Sequence, residues 1–226
     1  MTPFTHTAII ATAGGLWLMA TSTVSLAVDG RTLAMNGNGT GALPCSVCHG
    51  VQGEGQPQAG FPRLDGLNSV YIWQQLNDFA DGKRSNDIMR PIASALSADE
   101  RQAVASFYST QTAAKADEPA KVDSATIARG LALAAHGDWS KGLPGCNQCH
   151  GPDGQGVAGT FPKLAAQNAK YITQQLQDWQ QGKRANDPLH LMTTVAAKLG
   201  DSEVAAVAAY YASLPAAASS QQGAAQ

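Results

Sequence analysis

Apolar residues recur at helical spacing in two segments that lie one hundred residues apart. Each segment begins after an Asn that can cap a helix and ends near a glycine, Gly82 or Gly182, that suits a helix end. The shared apolar faces consist of Ile72, Leu76 and Phe79 in the first segment and Ile172, Leu176 and Trp179 in the second. The pattern predicts an amphipathic helix in each segment.

Further helices are predicted on either side of these two segments. Ser97–Glu100 reads "SADE", a capping-box pattern that opens a helix carrying Val104 and Phe107. Shorter helices are expected around Leu33 and around 131–135. Because no stretch alternates convincingly as a strand, the pattern predicts an all-α fold with long loops.

The two segments belong to a repeat that covers most of the chain. "FPRLDGLNSVYIWQQLNDFADGKRSND" begins at Phe61, and "FPKLAAQNAKYITQQLQDWQQGKRAND" begins at Phe161, with more than half of the positions identical. The Ala-, Pro- and charge-rich stretch between the copies is typical of a linker. The predicted organisation is a first domain at 28–110, a linker at 111–125, a second domain at 126–215 and a disordered tail at 216–226.

Residues 1–27 are expected to be an export signal. An apolar run, Ala8–Ala20, is followed by a more polar stretch, and Ser25 and Ala27 supply the small residues of a cleavage site. No Lys or Arg precedes the run, and its length would also suit an uncleaved membrane anchor. Either interpretation places the rest of the chain outside the cytoplasm.

Composition limits the classes of function. The chain has 226 residues with a formal net charge of −2, so no large basic face is available to hold nucleic acid. All 4 cysteines lie in two Cys-x-x-Cys-His motifs, one in each repeat. A helical unit this small has little apolar core of its own, so a metal or a bound cofactor is expected to staple it.

Three interpretations of the motifs compete. A zinc site built from all four cysteines would leave the adjoining histidines unexplained and would join the repeats at one site. A thioredoxin-like redox pair would require a βαβ setting, which the pattern lacks. Covalent c-type haem attachment accounts for both cysteines and the histidine, once in each repeat, and the motif favours it.

The spacing suits the chemistry of a covalently attached haem. Cys45 and Cys48 can each add to a haem vinyl group, and His49 can then ligate the iron from the proximal side. Export agrees, since c-type haem is attached outside the cytoplasm. The same three roles in the second repeat fall to Cys146, Cys149 and His150.

The sixth iron ligand is predicted to be a methionine in each repeat. Aligning the final helices places Met89 opposite Met192, in a loop between two predicted helices. Met35 has no methionine counterpart and is interpreted as helix packing. His190 and His136 are expected to be exposed loop residues, with His190 as the competing ligand.

The prolines of the "FPRL" and "FPKL" segments suggest how the histidines are oriented. A haem-ligating histidine donates its other ring N–H to a carbonyl, which fixes its tautomer. The rigid loops that contain Pro62 and Pro162 are suitable sources of that carbonyl, although a simple turn proline is the alternative interpretation.

The duplicated "CSVCHG" and "CNQCHG", "YIWQQL" and "YITQQL", and "GKRSND" and "GKRAND" followed by Met resemble the dihaem cytochrome c4 family. The resemblance covers nearly all of the chain after residue 27. It implies two tandem class I cytochrome c domains related by a pseudo-two-fold axis, with haem propionates facing each other across the interface. It also implies two covalently bound haem c groups, each with His/Met ligation, and a periplasmic electron-transfer role.

The function expected from the sequence is that of an electron carrier rather than an enzyme. Two six-coordinate haems leave no iron site for substrate, so the protein would relay electrons from a quinol-oxidising complex to a terminal oxidase, dissolved in the periplasm or loosely attached to the membrane. The alternative is the dihaem cytochrome subunit of a dehydrogenase such as a sulfide-oxidising flavocytochrome. A dihaem peroxidase or a thiosulfate-oxidising cytochrome would need an open iron or a cysteine ligand, and the chain has no fifth cysteine.

Overall fold

The computed structural model describes residues 28–112, 121–157 and 159–216. We call 28–112 the first half and 121–216 the second half. Each half contains five α-helices. The helices of the first half are α1 (Gly30–Asn36), α2 (Ser46–His49), α3 (Ser69–Ala80), α4 (Met89–Ser94) and α5 (Ala98–Ser109). Those of the second half are α6 (Ser124–His136), α7 (Asn147–His150), α8 (Ala169–Gln180), α9 (Leu191–Ala196) and α10 (Asp201–Ser213).

The described residues form no strand beyond isolated bridges, so the predicted all-α class is confirmed. The predicted helix starts are confirmed as well. The Asn68 side chain accepts from the backbone N–H of Val70 at the start of α3, and Asn168 caps α8 by accepting from the backbone N–H of Tyr171. Ser97 and Glu100 form a complete capping box at the start of α5. Within the described ranges no helix is long and apolar enough to cross a membrane.

Several expectations need correction. Met89 and Met192 lie on α4 and α9 rather than in loops, because helices of six residues are too short to show a periodic pattern. Helix α6 begins at Ser124, inside the predicted linker, because Asp123 caps it, and His136 is its last residue rather than part of a loop. The predicted export signal at 1–27 lies outside the described residues, as do 113–120 of the linker and 217–226 of the tail.

Each half has its own apolar core. It is formed by the first and last helices, which cross each other, and by the amphipathic helix (α3 or α8) that packs against the last one. In the first half α1 and α3 pack against α5, and in the second half α6 and α8 pack against α10. Tyr108 and Tyr211 occupy equivalent places on α5 and α10 and are among the largest fully buried side chains. The halves therefore repeat one arrangement of helices.

Glycine permits the close crossing of the first and last helices in each half. A Cβ placed on Gly130 of α6 would lie 2.1 Å from the backbone oxygen of Ala206 on α10. The equivalent Cβ on Gly30 of α1 would lie 2.1 Å from the backbone oxygen of Ala103 on α5. Only a residue without a side chain allows the two backbones to approach so closely.

Reciprocal hydrogen bonds join the two halves. Arg84 donates to Gln75 of its own half at 2.9 Å, to Tyr171 of the second half at 2.8 Å, and to Gln175. The matching set from Arg184 goes to Gln175 at 2.9 Å, Tyr71 at 3.3 Å and Gln75 at 3.1 Å. The exchange of equivalent partners relates the halves by an approximate two-fold axis, as expected.

Candidate haem sites

The first Cys-x-x-Cys-His motif forms one turn of helix, α2, whose last residue is the buried His49. The Nδ1 atom of His49 lies 2.9 Å from the carbonyl oxygen of Pro62. A carbonyl can only accept, so Nδ1 carries the proton and Nε2 keeps its lone pair for a metal. The hydrogen bond expected from the proline-bearing loop is therefore present.

The second motif repeats this geometry on α7. The buried His150 donates from Nδ1 to the carbonyl oxygen of Pro162 at 2.8 Å. Its ring centroid lies 5.9 Å from that of Phe161, and the rings of His49 and Phe61 are 6.2 Å apart. Each histidine thus lies between a carbonyl and an aromatic ring, and in both of them Nε2 is the nitrogen available to bind a metal.

The loop between each histidine and its proline is held close to the motif by backbone hydrogen bonds. Gly55 donates its N–H to the carbonyl of His49 at 2.8 Å and adopts a φ of +78°. A Cβ there would lie 2.8 Å from the backbone nitrogen of Arg63, so this turn requires glycine. The tight turn brings the Pro62 carbonyl back to Nδ1 of the histidine.

The protonation behaviour of these groups favours ligation over thiol redox chemistry. Burial lowers the pKa values of His49 and His150, although the proline carbonyls oppose the shift, and neutral imidazole is the form that binds metals. Burial raises the pKa of the Cys45 thiol to about 11 and also raises that of Cys146. Reactive redox cysteines have lowered pKa values instead, so the redox-pair interpretation gains no support.

The zinc interpretation also lacks a site. The cysteines are unpaired. Within the described ranges no group of three or more His, Cys, Asp or Glu side chains is placed to hold a metal ion. A zinc centre would need about four such ligands around one point.

The two predicted methionine ligands share a core with a cysteine of their own motif. Met89 and Cys45 are both half-buried and pack against the core of the first half. Met192 and Cys146 do the same in the second half. His190 is exposed and begins α9 with a φ of +53°, its N–H bound to the carbonyl of Asp187 at 2.7 Å.

The residues present fit a haem in each half. Each core gathers a cysteine, a half-buried methionine and a histidine whose Nε2 is available. One buried polar atom of the second half, Nε1 of Trp179, has no hydrogen-bond partner among the described residues. Such a donor is costly to bury unsatisfied, and the carboxylates of a haem are suitable acceptors.

A polar cluster at the interface was missed by sequence reasoning. Arg84 is 6% exposed and Arg184 is 5% exposed, and their backbones pair as an antiparallel bridge. Their guanidinium carbons lie 4.5 Å and 4.0 Å from the ring centroids of Phe79 and Trp179. Neither arginine forms an ion pair among the described residues, so two buried positive charges lie together. The repeated "GKR" was the available signal.

Comparison with known proteins decides the family. A cytochrome c family model matches residues 27–112 and 127–215. The "Thiosulfate dehydrogenase electron acceptor" of Stutzerimonas stutzeri is 42% identical over 203 residues, covering 88% of this chain and 93% of that protein. Cytochrome c4 of Pseudomonas aeruginosa is 34% identical over 171 residues, covering 75% of this chain and 83% of that protein. The chain belongs to the cytochrome c family.

Solved structures of cytochromes resemble the fold of this chain over both halves. Reduced cytochrome c4 from Pseudomonas stutzeri superposes with a TM-score of 0.69 at 34% identity, covering 75% of this chain and 93% of that one. Thiosulfate dehydrogenase (TsdBA) from Marichromatium purpuratum superposes with a TM-score of 0.77 at 41% identity. The match covers 82% of this chain but only 40% of that longer one.

Membership of the cytochrome c family establishes the cofactor and the class of activity. The chain is a cytochrome c4-like dihaem protein with two covalently bound haem c groups, one for each domain of the tandem pair. Its relatives are cytochromes and electron acceptors. The protein is accordingly an electron carrier and not an enzyme, and redox proteins are its partners.

Proposed function

We propose that the protein is the dihaem electron acceptor of a thiosulfate-oxidising dehydrogenase. The observation that carries this proposal is the 42% identity, over 93% of its length, to a protein named for that role. A second such protein, from Thiomonas intermedia, is 44% identical over 174 residues. This donor falls within the expected alternative, a dehydrogenase partner, although its substrate is thiosulfate rather than sulfide.

We assign the haem-binding residues from the two motifs and the flanking methionines. Cys45 and Cys48 would hold the first haem covalently, and His49 and Met89 would ligate its iron. The corresponding residues of the second haem are Cys146, Cys149, His150 and Met192. When bound, each haem supplies a one-electron ferric/ferrous couple. The Pro62 and Pro162 carbonyls hold each histidine in the tautomer that leaves Nε2 free for iron. The methionines would occupy the remaining iron position, which would favour ferrous iron.

The buried arginines complement the haems at the interface. Arg84 and Arg184 bring two positive charges into a desolvated region, where no carboxylate of the described residues lies within ion-pair distance and Asp178 acts on Arg84 only from farther away. Buried charges are retained where an opposite charge compensates them. We assign this role to the haem propionates, which are expected to face each other between the halves.

Apolar side chains around the first motif supply a docking surface for the donor. Val47 lies between the two cysteines and is 68% exposed, and its counterpart in the second half is Gln148. The other exposed apolar residues beside the first site are Leu43, Val51 and Ile88. The second half also exposes apolar residues beside its own site, among them Trp139, Leu189 and Leu191. We place the donor on the first half because the exposed residue before the second cysteine is apolar there and polar in the second half, and brief apolar contact suits fast electron exchange.

The proposed compartment is the periplasm, because c-type haem is attached outside the cytoplasm and 1–27 has the pattern of an export signal.

The expected relay from a quinol-oxidising complex to a terminal oxidase stays as the second candidate function. It rests on the 34% identity to cytochrome c4, a weaker similarity than that to the thiosulfate dehydrogenase acceptors.

Reduction by a thiosulfate dehydrogenase tests both the donor and the docking surface. The oxidised holoprotein is mixed with thiosulfate and catalytic amounts of the enzyme, and haem absorbance is followed. Val47→Glu should slow reduction about tenfold, beyond the slowing that the measured fall in the first reduction potential explains, while the matched Gln148→Glu should not. Slowing by Gln148→Glu alone would move the docking surface to the second half. No reduction of the unmodified protein, together with rapid reduction by a quinol-oxidising complex, would favour the relay.

A further inference from the structure

One peptide unit of the first half is hydrogen-bonded at both of its polar atoms. The carbonyl of the Pro62–Arg63 peptide accepts from Nδ1 of His49 at 2.9 Å. The N–H of the same peptide donates to Oε1 of Gln167 at 2.9 Å. Gln167 belongs to the second half, so a side chain from one half ends a hydrogen-bond chain that begins at the histidine of the other.

The Gln167 side chain is held firmly in this position. It is buried, its Oε1 also accepts from the backbone N–H of Asn168 at 3.0 Å, and its Nε2 donates to the carbonyl of Arg63 at 3.1 Å. The preceding Ala166 adopts a left-handed φ of +60°, unusual for a residue with a Cβ, and bonds to the carbonyl of Tyr211 at 2.9 Å. The strained turn fixes the direction in which Gln167 leaves the loop.

The two-fold relation between the halves fails at this residue. The position equivalent to Gln167 in the first half is Leu67, which is buried and has no hydrogen-bonding atom in its side chain. The Leu67 side chain therefore cannot accept a hydrogen bond from the N–H of the Pro162–Lys163 peptide, as Gln167 does from the N–H of Pro62–Arg63. The side chain at this position thus gives an amide acceptor to the Pro62–Arg63 peptide and cannot give one to the Pro162–Lys163 peptide.

We propose that Gln167 is a positioning residue that lowers the reduction potential of the first haem from across the interface. Accepting from the Arg63 N–H polarises the peptide and makes the Pro62 carbonyl a stronger acceptor, because hydrogen bonds in a chain reinforce one another. A stronger acceptor draws the Nδ1 proton and makes the His49 ring a more basic ligand. A more basic ligand stabilises ferric iron relative to ferrous iron, which lowers the potential.

The contact between the halves thus becomes part of the redox environment of the first haem. The proposal rests on the assignment of His49 as a ligand and is independent of which enzyme donates electrons. A wild-type spectrum without two low-spin His/Met haems would refute the ligand assignment itself, before any variant is considered.

The test compares two variants that both lose the amide donor of Gln167. Gln167→Leu copies the first half and removes the acceptor, whereas Gln167→Glu keeps an acceptor oxygen and adds negative charge. In spectroelectrochemical titration of the purified holoprotein, Gln167→Leu should raise the equilibrium constant for reducing the first haem about three- to tenfold. That change corresponds to about 30–60 mV at 59 mV per tenfold. The potential should stay or fall in Gln167→Glu.

The second haem serves as the internal reference. The reduction potential of the second haem should be unchanged in both variants. Repeating the titration with Met192→Ala, which changes the reduction potential of the second haem, identifies which of the two redox transitions belongs to the first haem. A purely structural role for Gln167 would move both variants in the same direction, and that result would overturn the proposal. An unchanged first potential in Gln167→Leu would overturn it as well.

Discussion

Gly130→Ala tests the helix crossing on which the second half is built. In an ordinary helix interior, replacing glycine by alanine stabilises a protein by roughly 1 kcal/mol, because alanine loses less backbone entropy on folding. In α6 the new methyl group would lie 2.1 Å from the backbone oxygen of Ala206 and 2.7 Å from Cβ of Tyr210. The structure therefore predicts that the sign of the effect reverses.

The magnitude follows from the distance that the two helices must move. An ordinary contact would require α6 and α10 to separate by about 1 Å, and a gap of that size forfeits a quarter to a half of the dispersion energy across it. Overpacking of this kind costs up to about 3 kcal/mol. Subtracting the gain of about 1 kcal/mol from helix propensity leaves a net loss of about 2 kcal/mol.

Thermal unfolding of the purified ferric holoprotein, followed by haem absorbance and far-ultraviolet circular dichroism, measures this loss. A protein of this size should lose about 4–8 °C in melting temperature. Gly200→Ala is the control, because Gly200 has a φ of −82° and a methyl group added there would have no other atom within 4 Å. It should change stability by less than about 1 kcal/mol. If Gly130→Ala raised the melting temperature, the close crossing would be refuted.

Three further predictions concern the ligands, acid stability and docking. Met192→Ala should lower one reduction potential, abolish one near-infrared methionine–iron band and let that iron bind added ligands. Met89→Ala should have the same effects on the other haem. His190→Ala should leave the spectra of both haems intact. Hydrogen bonding to Lys141 lowers the pKa of Glu203 from 4.5 to about 2, so its stabilisation is full above about pH 4.5 and disappears as pH falls to about 2. Urea unfolding should show Glu203→Gln costing about 1 kcal/mol at pH 7 and little near pH 2; an equal cost at both pH values would contradict this. The two repeats are nearly balanced in charge, with six basic and eight acidic residues at 28–110 and seven and six from 126 onward; reduction by the dehydrogenase should depend only modestly on salt, and a steep salt dependence would indicate a charged docking surface instead.

Features set by local physics were predictable from the sequence. The amphipathic helices, the Asn68 cap and the capping box at Ser97 depend on residues within a few positions of one another. The Cys-x-x-Cys-His motifs are equally local, as is the proline loop that follows them. Helices α4 and α9 were not predicted because six residues are too few to establish a helical period.

The interface between the halves could not be predicted in the same way. Gln75 and Asp78 give α3 the polar character of a solvated face, and Arg84 follows that helix, yet all three are buried. A hydrophobic pattern shows which face of a helix meets apolar groups, and it does not show which polar face meets a second domain. The substitution of Leu67 by Gln167 was visible in the repeat, but it gained meaning only when Gln167 was seen at the Arg63 peptide.

The identity of the electron donor could not be inferred from the site residues. The motifs predict two closed haems whatever the partner, so the relay to an oxidase and the dehydrogenase partner predict similar sites. Identity to acceptors of thiosulfate dehydrogenase, over 88% and 77% of the chain, favours the dehydrogenase partner.

Each chain should accept two electrons, one in each half, from a thiosulfate-oxidising dehydrogenase. Anaerobic titration of the oxidised holoprotein with thiosulfate, in the presence of catalytic amounts of the enzyme, tests it most directly. We expect absorbance changes to stop at two electrons per chain and thiosulfate without the enzyme to cause no reduction. Reduction by thiosulfate alone, or an end point of one electron per chain, would contradict it.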